Sequence, residues 1–91
     1  MERNYVIVKK VFTISGRGVG IVPEESLSPI YLAKKYKVLL EYPNGEQQQS
    51  HAFVEALLIS ATKRIELFTF FLPDFKSGEI PVNTKITIIV E

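Results

Sequence analysis

The fold is decided by the stretch Phe12-Thr13-Ile14-Ser15-Gly16-Arg17-Gly18-Val19-Gly20-Ile21-Val22. β-Branched and aromatic residues lie on both sides of its glycines, in the runs Tyr5–Val8, Val11–Ile14 and Val19–Val22. Such residues pack well on a pleated, half-buried surface. Gly16, Gly18 and Gly20 permit a positive φ or a close backbone approach without steric cost. The stretch therefore predicts a β-hairpin whose turn and bulge are made by the glycines.

Glycines at alternate positions are also found in phosphate-binding loops. A dinucleotide-binding fingerprint requires a helix that begins directly after the glycines, whereas Val19–Val22 followed by Pro23 is typical of a strand. The stretch also lacks the Gly-Lys-Ser/Thr ending of a nucleotide-binding loop. A structural turn is therefore the preferred interpretation.

The segment Val11–Val22 resembles the opening of the second domain of translational GTPases of the elongation factor Tu kind, where a Val-Phe-x-Ile-x-Gly-Arg-Gly segment begins a small β-barrel. Gly78–Ile88 is similar to the late turn and strand of that barrel. The family usually continues the first motif with Thr-Gly and a basic residue, where this chain has Pro23-Glu24-Glu25. In that family the barrel contacts the end of an aminoacylated tRNA and packs against its GTPase domain. The resemblance therefore implies a small β-barrel with RNA and protein as partners.

Length and composition indicate one domain over residues 1–91. The chain has 91 residues, of which 46% are hydrophobic and 23% charged, enough for a single core. Its formal net charge is +1, so no global field would draw it to nucleic acid or to an anionic membrane. The absence of cysteine excludes a disulfide scaffold and thiolate chemistry. No secretory signal or bilayer-spanning apolar run of about 20 residues is present, so we expect a soluble, cytoplasmic protein.

The middle of the chain is divided by two turn signals. The polar, proline-flanked segment Pro23–Pro29 predicts a loop. Ile30–Tyr42 follows, and its first half is compatible with a short helical turn while its second half alternates as a strand does. Asn44 and Gly45 then predict a tight turn, because Asn-Gly tolerates the positive φ that hairpin turns demand.

The segment Ala52–Arg64 fits either a helix or a strand. Its apolar residues recur at helical spacing, but several of them also line one face of a strand. The barrel resemblance favours a strand through Ile59 and a turn between Ser60 and Arg64. Ile65–Leu72 and Lys85–Val90 add two further strands. We expect six or seven mainly antiparallel strands in an all-β fold, a small closed or partly open barrel.

Catalytic groups do not form a recognised pattern in the sequence. His51 is the single histidine, with no carboxylate at a metal-ligand spacing, so an ordinary surface histidine is the preferred interpretation. Glu24 and Glu25 are adjacent in a polar loop, and no serine lies in a Gly-x-Ser-x-Gly motif. We therefore expect no enzyme activity, no metal and no cofactor.

Basic residues are the candidate binding groups, namely Arg17, Lys34, Lys35, Lys37 and Arg64. If they converge beside Tyr31, Tyr36 or an exposed phenylalanine, they would hold a phosphate backbone while the aromatic rings stack on bases. The alternative is that these cations are spread round the surface for solubility. Arg17 is the first choice for a contact, since a guanidinium on a rigid turn suits planar carboxylate or phosphate groups.

Two functions follow as hypotheses. The first is a non-catalytic barrel module that binds another protein. The chain is rich in aromatic residues, and some of them would be exposed as an interface unless all of them fill the core. These residues are Phe53, Phe68, Phe70, Phe71 and Phe75 with four tyrosines. The second is an RNA- or tRNA-binding module that uses Arg17 and the lysines. Nothing in the sequence indicates a small-molecule pocket.

Overall fold

A computed structural model describes residues 3–60 and 62–89 and confirms the all-β prediction. Six strands form a closed antiparallel barrel in the order β1-β2-β5-β4-β3-β6. Their bounds are β1 Tyr5–Ile14, β2 Gly18–Pro23, β3 Lys35–Glu41, β4 Gln47–Ser60, β5 Ile65–Leu72 and β6 Lys85–Ile88. Two single-turn 3-10 helices, Pro29–Tyr31 and Ser77–Glu79, lie in the connections.

The predicted first hairpin is formed by β1 and β2, which pair from Ile14↔Gly18 onwards. Gly16 lies in the turn with a φ of 72°, and Gly18, the first residue of β2, follows it with a φ of 98°. The Arg17 amide donates to the Ile14 carbonyl at 2.9 Å. Gly18 also lies against the backbone at the end of β5, because a Cβ there would overlap the Leu72 carbonyl oxygen and lie 2.6 Å from the Pro73 Cα, directly after the strand. Gly20 lies within β2 rather than in the turn.

The two apolar runs predicted on the N-terminal side belong to one long strand, β1. Its first part pairs with β6 at Tyr5–Ile7, and its second part pairs with β2. A register shift between Val8 and Lys10 lies in the β1–β2 ladder, close to the point where the two parts meet. Because a bulge increases local twist and bends a strand, it allows β1 to turn from one partner to the other around the barrel.

The second hairpin joins β3 to β4 through the predicted Asn-Gly turn. Gly45 has a φ of 92°, and the Asn44 Oδ1 accepts from the Glu46 amide at 2.9 Å. The Gly45 amide donates to the Tyr42 carbonyl at 3.0 Å. Asn44 thus fixes the turn by its side chain and Gly45 by its backbone conformation.

Tyr42 lies beside this turn, with its hydroxyl donating to the Gln48 Oε1 at 2.8 Å. Burial raises the pKa of Tyr42 above its ordinary value of 10.0, and the carboxylates of Glu79 and Glu46 raise it further. Both effects act in the same direction because each disfavours the phenolate.

The ambiguous segment after Ala52 is a strand in the structure. Buried Ala52 and Val54 alternate with exposed Phe53 and Glu55, the period of two that a half-buried strand requires. β4 continues to Ser60, and a turn at residues 62–64 leads into β5, with a register shift between Leu58 and Ser60. The last predicted strand ends at Ile88, and Val90 lies outside the described residues.

The core fills the barrel interior with inward-facing side chains from all six strands. Three residues outside the strands also contribute to it, namely Leu27, Phe75 and Ile80. Since each of these lies in a connection, the two long loops contribute to the core as well as link the strands.

The shortest ladder of the barrel joins β2 to β5 and contains two residue pairs. We call this junction the β2–β5 seam, and side-chain hydrogen bonds extend it. The buried Thr69 hydroxyl donates to the Ile21 carbonyl at 2.8 Å, and the Ser26 Oγ accepts from the Phe68 amide at 2.8 Å. These bonds satisfy backbone groups that have no partner strand there.

Neither short helix in residues 3–60 and 62–89 is long or apolar enough to cross a bilayer.

Candidate binding surface

Three phenylalanines lie side by side on the outside of the barrel because of the strand order. Phe12 is paired with Gly20, Gly20 with Phe71, and Phe71 with Phe53 across β1, β2, β5 and β4. Phe12, Phe53 and Phe71 are all absent from the core cluster and the side chains packed against it. We call these three residues the aromatic row.

The aromatic row depends on the absence of a side chain at Gly20. A Cβ at this position would lie 2.7 and 2.8 Å from the Phe12 Cε2 and Cε1 atoms. The Phe12 ring therefore lies directly over the Gly20 backbone, and from there it meets Phe71 edge to face, with the centroids 6.1 Å apart and the planes at 86°. Such aromatic pairs contribute about 0.5–1.5 kcal/mol beyond their buried area.

The exposed end of the row is Phe53, 42% of whose surface is accessible. The Lys35 ammonium lies 5.8 Å from the Phe53 ring centroid, at the limit of a cation–π contact. Since Lys35 is also the cross-strand partner of Phe53, a positive charge lies beside the exposed end of the aromatic row.

A groove of about 540 Å³, which we call the aromatic groove, runs beside Phe53 and Phe71. Its other lining residues are Ile14, Arg17, Ala33, Val54, Glu55 and Pro73. The lining is mainly apolar and carries one cation and one carboxylate. It can therefore accept an apolar group and orient it by charge.

A second groove of about 590 Å³, the basic groove, has Lys35 in its lining. It is lined by Tyr31, Lys35, Tyr36, Lys37, His51, Ile88 and Ile89. Tyr31 and Tyr36 meet edge to face with centroids 5.5 Å apart, and Lys37 is the cross-strand partner of His51. Lys35 and Lys37 give the groove two positive charges, which attract anions.

The structure brings together part of the predicted cation set. Lys35 and Lys37 share the basic groove, and Arg17 lies on the aromatic groove. Lys34 lines neither groove, and its carbonyl accepts from the Val54 amide at 3.0 Å. Arg64 lies in the β4–β5 turn with a φ of 51°, away from both grooves.

The aromatic residues divide between the core and the surface. Phe70 and Phe75 are buried in the core, and Phe68 packs against it. Phe53 and Phe71 instead line the aromatic groove. Phe12 is not among the predicted interface residues. The sequence signal for it is Gly20 in the neighbouring strand, and this glycine is informative only once the pairing of Phe12 with Gly20 is known.

Among residues 3–60 and 62–89, no group of three histidine, aspartate or glutamate side chains converges as a metal site would. His51 is exposed on β4 beside Lys37.

Comparisons with protein-family models, with curated proteins and with solved structures find no match to this chain. The resemblance to the second domain of translational GTPases therefore stays a prediction from the two short sequence segments.

Proposed function

We propose that the protein is a non-catalytic binding module and that its aromatic groove takes a segment of a partner protein. The observation that carries the proposal is the aromatic row on the outer surface, which ends in the 42% exposed Phe53. A large ring directed away from the core and bordering a groove is a typical anchor of a protein interface.

The lining of the aromatic groove supports a protein as the partner rather than a highly charged molecule. Aromatic residues and arginine are enriched at the centres of protein interfaces, with charged groups of both signs at the rim. The aromatic groove has this arrangement, with Phe53 and Phe71 in its lining beside Arg17 and Glu55. The partner segment would insert an apolar side chain against the rings and place a carboxylate near Arg17.

The test is affinity capture from nuclease-treated extract of the source organism with three baits. They are the wild type, Phe53→Asp, and the control Val82→Asp, which changes a 53% exposed side chain outside both grooves. We expect a partner protein that is retained by the wild type and by Val82→Asp but lost with Phe53→Asp. Equal capture by all three baits, or no captured protein, would refute the proposal.

The basic groove supports a second candidate function, the binding of single-stranded RNA. Lys35, Lys37 and His51 converge there beside Tyr31 and Tyr36. Single-stranded nucleic acid is held by such a combination, in which cations follow the phosphates and aromatic rings stack on bases. RNA is also one of the partners that the sequence resemblance implies.

This candidate is tested by fluorescence anisotropy with a labelled single-stranded RNA at several salt concentrations. For single strands the logarithm of affinity falls with that of salt by about 0.7 per neutralised phosphate. The double variant Lys35→Glu/Lys37→Glu should therefore bind more weakly and lower the salt slope by about 1.4. The control Lys9→Glu/Lys10→Glu alters two exposed lysines of β1 outside the basic groove. Equal loss in both variants would indicate unspecific attraction.

A further inference from the structure

The end of the β4–β5 hairpin is apolar on both faces. Leu58, Ile59 and Ile65 are 54%, 48% and 44% exposed. Leu57 pairs with Leu67 on one face, and Leu58 lies on the other, because successive strand residues point to opposite faces. This two-stranded extension carries apolar side chains beyond the region where other strands cover them.

The β3-facing edge of β4 loses its neighbour before this extension begins. β3 pairs with β4 as far as Lys35↔Phe53. The next bonds on that side join Val54 to the Ala33 amide at 2.9 Å and to the Lys34 carbonyl at 3.0 Å. Beyond Val54, no strand within the described ranges pairs with β4 on this side.

The direction of the backbone groups follows from the bonds of Val54. Both its N–H and its C=O point to the β3 side, and alternate residues of a strand direct these groups to the same edge. Ala56 and Leu58 therefore present their N–H and C=O groups along the open edge. An exposed apolar edge of this kind is a template for pairing with another strand.

We propose that this edge pairs antiparallel with the same edge of a second copy of the chain, so that the protein forms a weak homodimer. The segment Ala56–Ser60 is uncharged and apolar on both faces. When two copies pair, the apolar side chains of each segment therefore lie beside apolar side chains of the other on both faces. A two-fold axis through the pairing would make each copy both donor and acceptor.

Charges at the two ends of the segment favour a second copy in antiparallel orientation. Glu55 precedes the segment, and the turn after it carries Lys63 and Arg64, all three being exposed. In antiparallel pairing, the Glu55 end of one copy lies beside the Lys63 and Arg64 turn of the other. A parallel arrangement would instead place like charges together.

The area of contact limits the strength of this dimer. A strand pair of about five residues with its flanking side chains falls in the class of interfaces below about 1,200 Å², which are weak or transient. We therefore expect a dissociation constant between about 10 μM and 1 mM.

The test is sedimentation equilibrium across this concentration range. The wild type should shift from the 10.3 kDa monomer to twice that mass. Leu58→Pro removes the outward N–H without breaking a bond to β5, and it should weaken the dimer at least tenfold. Leu58→Thr keeps the N–H at the same site and should weaken it by less. A wild type that stays monomeric at about 1 mM, or a Leu58→Pro variant that associates like the wild type, overturns the proposal.

A charge-exchange experiment keeps the proposal testable if Leu58→Pro does not fold. Glu55→Arg and Lys63→Glu/Arg64→Glu should each weaken the dimer roughly two- to thirtyfold, because the two-fold axis makes each exposed ion pair occur twice. The triple variant that combines them should restore wild-type association. If the losses add instead, the two ends of the segment do not meet and the antiparallel pairing is wrong.

Discussion

The substitution Gly20→Ala tests whether the aromatic row depends on a missing side chain. The new methyl group would overlap the Phe12 ring, whose Cε carbons lie 2.7 and 2.8 Å from the Cβ position, against an optimal carbon–carbon separation of about 3.5–4.0 Å. The Phe12 ring must therefore move from its place over Gly20, which disturbs its edge-to-face contact with Phe71. Overpacking of this kind costs about 1–3 kcal/mol.

A compensating effect reduces this loss. Replacing glycine by alanine restricts the unfolded chain and stabilises a compatible position by about 0.4–1 kcal/mol, and Gly20 is not among the positive-φ glycines. The expected net loss in the free energy of unfolding is about 1 kcal/mol, which lowers Tm by about 4–8 °C for a domain of this size. Urea unfolding followed by far-ultraviolet circular dichroism measures the free energy directly.

A double-mutant cycle with Phe12→Ala identifies the cause of the loss. Without the Phe12 ring the Gly20→Ala methyl has space, so in that background the substitution should be neutral or slightly stabilising. Gly78→Ala is the matched control, since a Cβ there meets no atom within 4 Å. If Gly20→Ala destabilises both backgrounds equally, the packing of Phe12 on Gly20 is not what holds the row, and the reasoning is refuted.

Three further substitutions test other parts of the barrel. Ser26→Ala removes the acceptor of the Phe68 amide and should lower the free energy of unfolding by about 1–3 kcal/mol in urea titrations; an unchanged midpoint would show that the seam does not need this bond. Phe70→Ala empties a fully buried site and should cost about 3–5 kcal/mol, which thermal unfolding would detect as loss of most of the stability. The raised pKa of Tyr42 means that the folded state holds its proton more tightly, so stability is lost as the pH rises above 10.0. Tyr42→Phe should flatten this alkaline decline in urea midpoints measured from neutral pH upward, and an equally steep decline would exclude Tyr42 as its source.

Local signals in the sequence were sufficient to predict most of the architecture. The glycines around Arg17 and the Asn44-Gly45 pair indicated two turns, and the apolar runs between them indicated strands. These signals are local because φ restrictions and two-residue alternation act within a few residues. The sequence left Ala52–Arg64 open between helix and strand, since its apolar residues satisfy both periods until a neighbouring strand selects one.

The candidate surface was less predictable because it depends on strand order. Phe12, Phe71 and Phe53 are far apart in the chain and become neighbours through the order β1-β2-β5-β4. No local pattern encodes that order. The same holds for Lys34 and Arg64, which looked equivalent to Lys35 and Lys37 as cations but lie outside both grooves.

The position of β6 between β1 and β3 has a consequence for the kinetics of folding. This four-residue strand pairs with Tyr5–Ile7 on one side and with Val38–Glu41 on the other, so both ladders join segments far apart in sequence. Closing such long loops costs entropy before any contact repays it, and folds rich in distant contacts fold in milliseconds to seconds. During synthesis on the ribosome, the edges of β1 and β3 therefore stay unpaired until β6 emerges, and we expect this interval to be when the chain is most prone to aggregate.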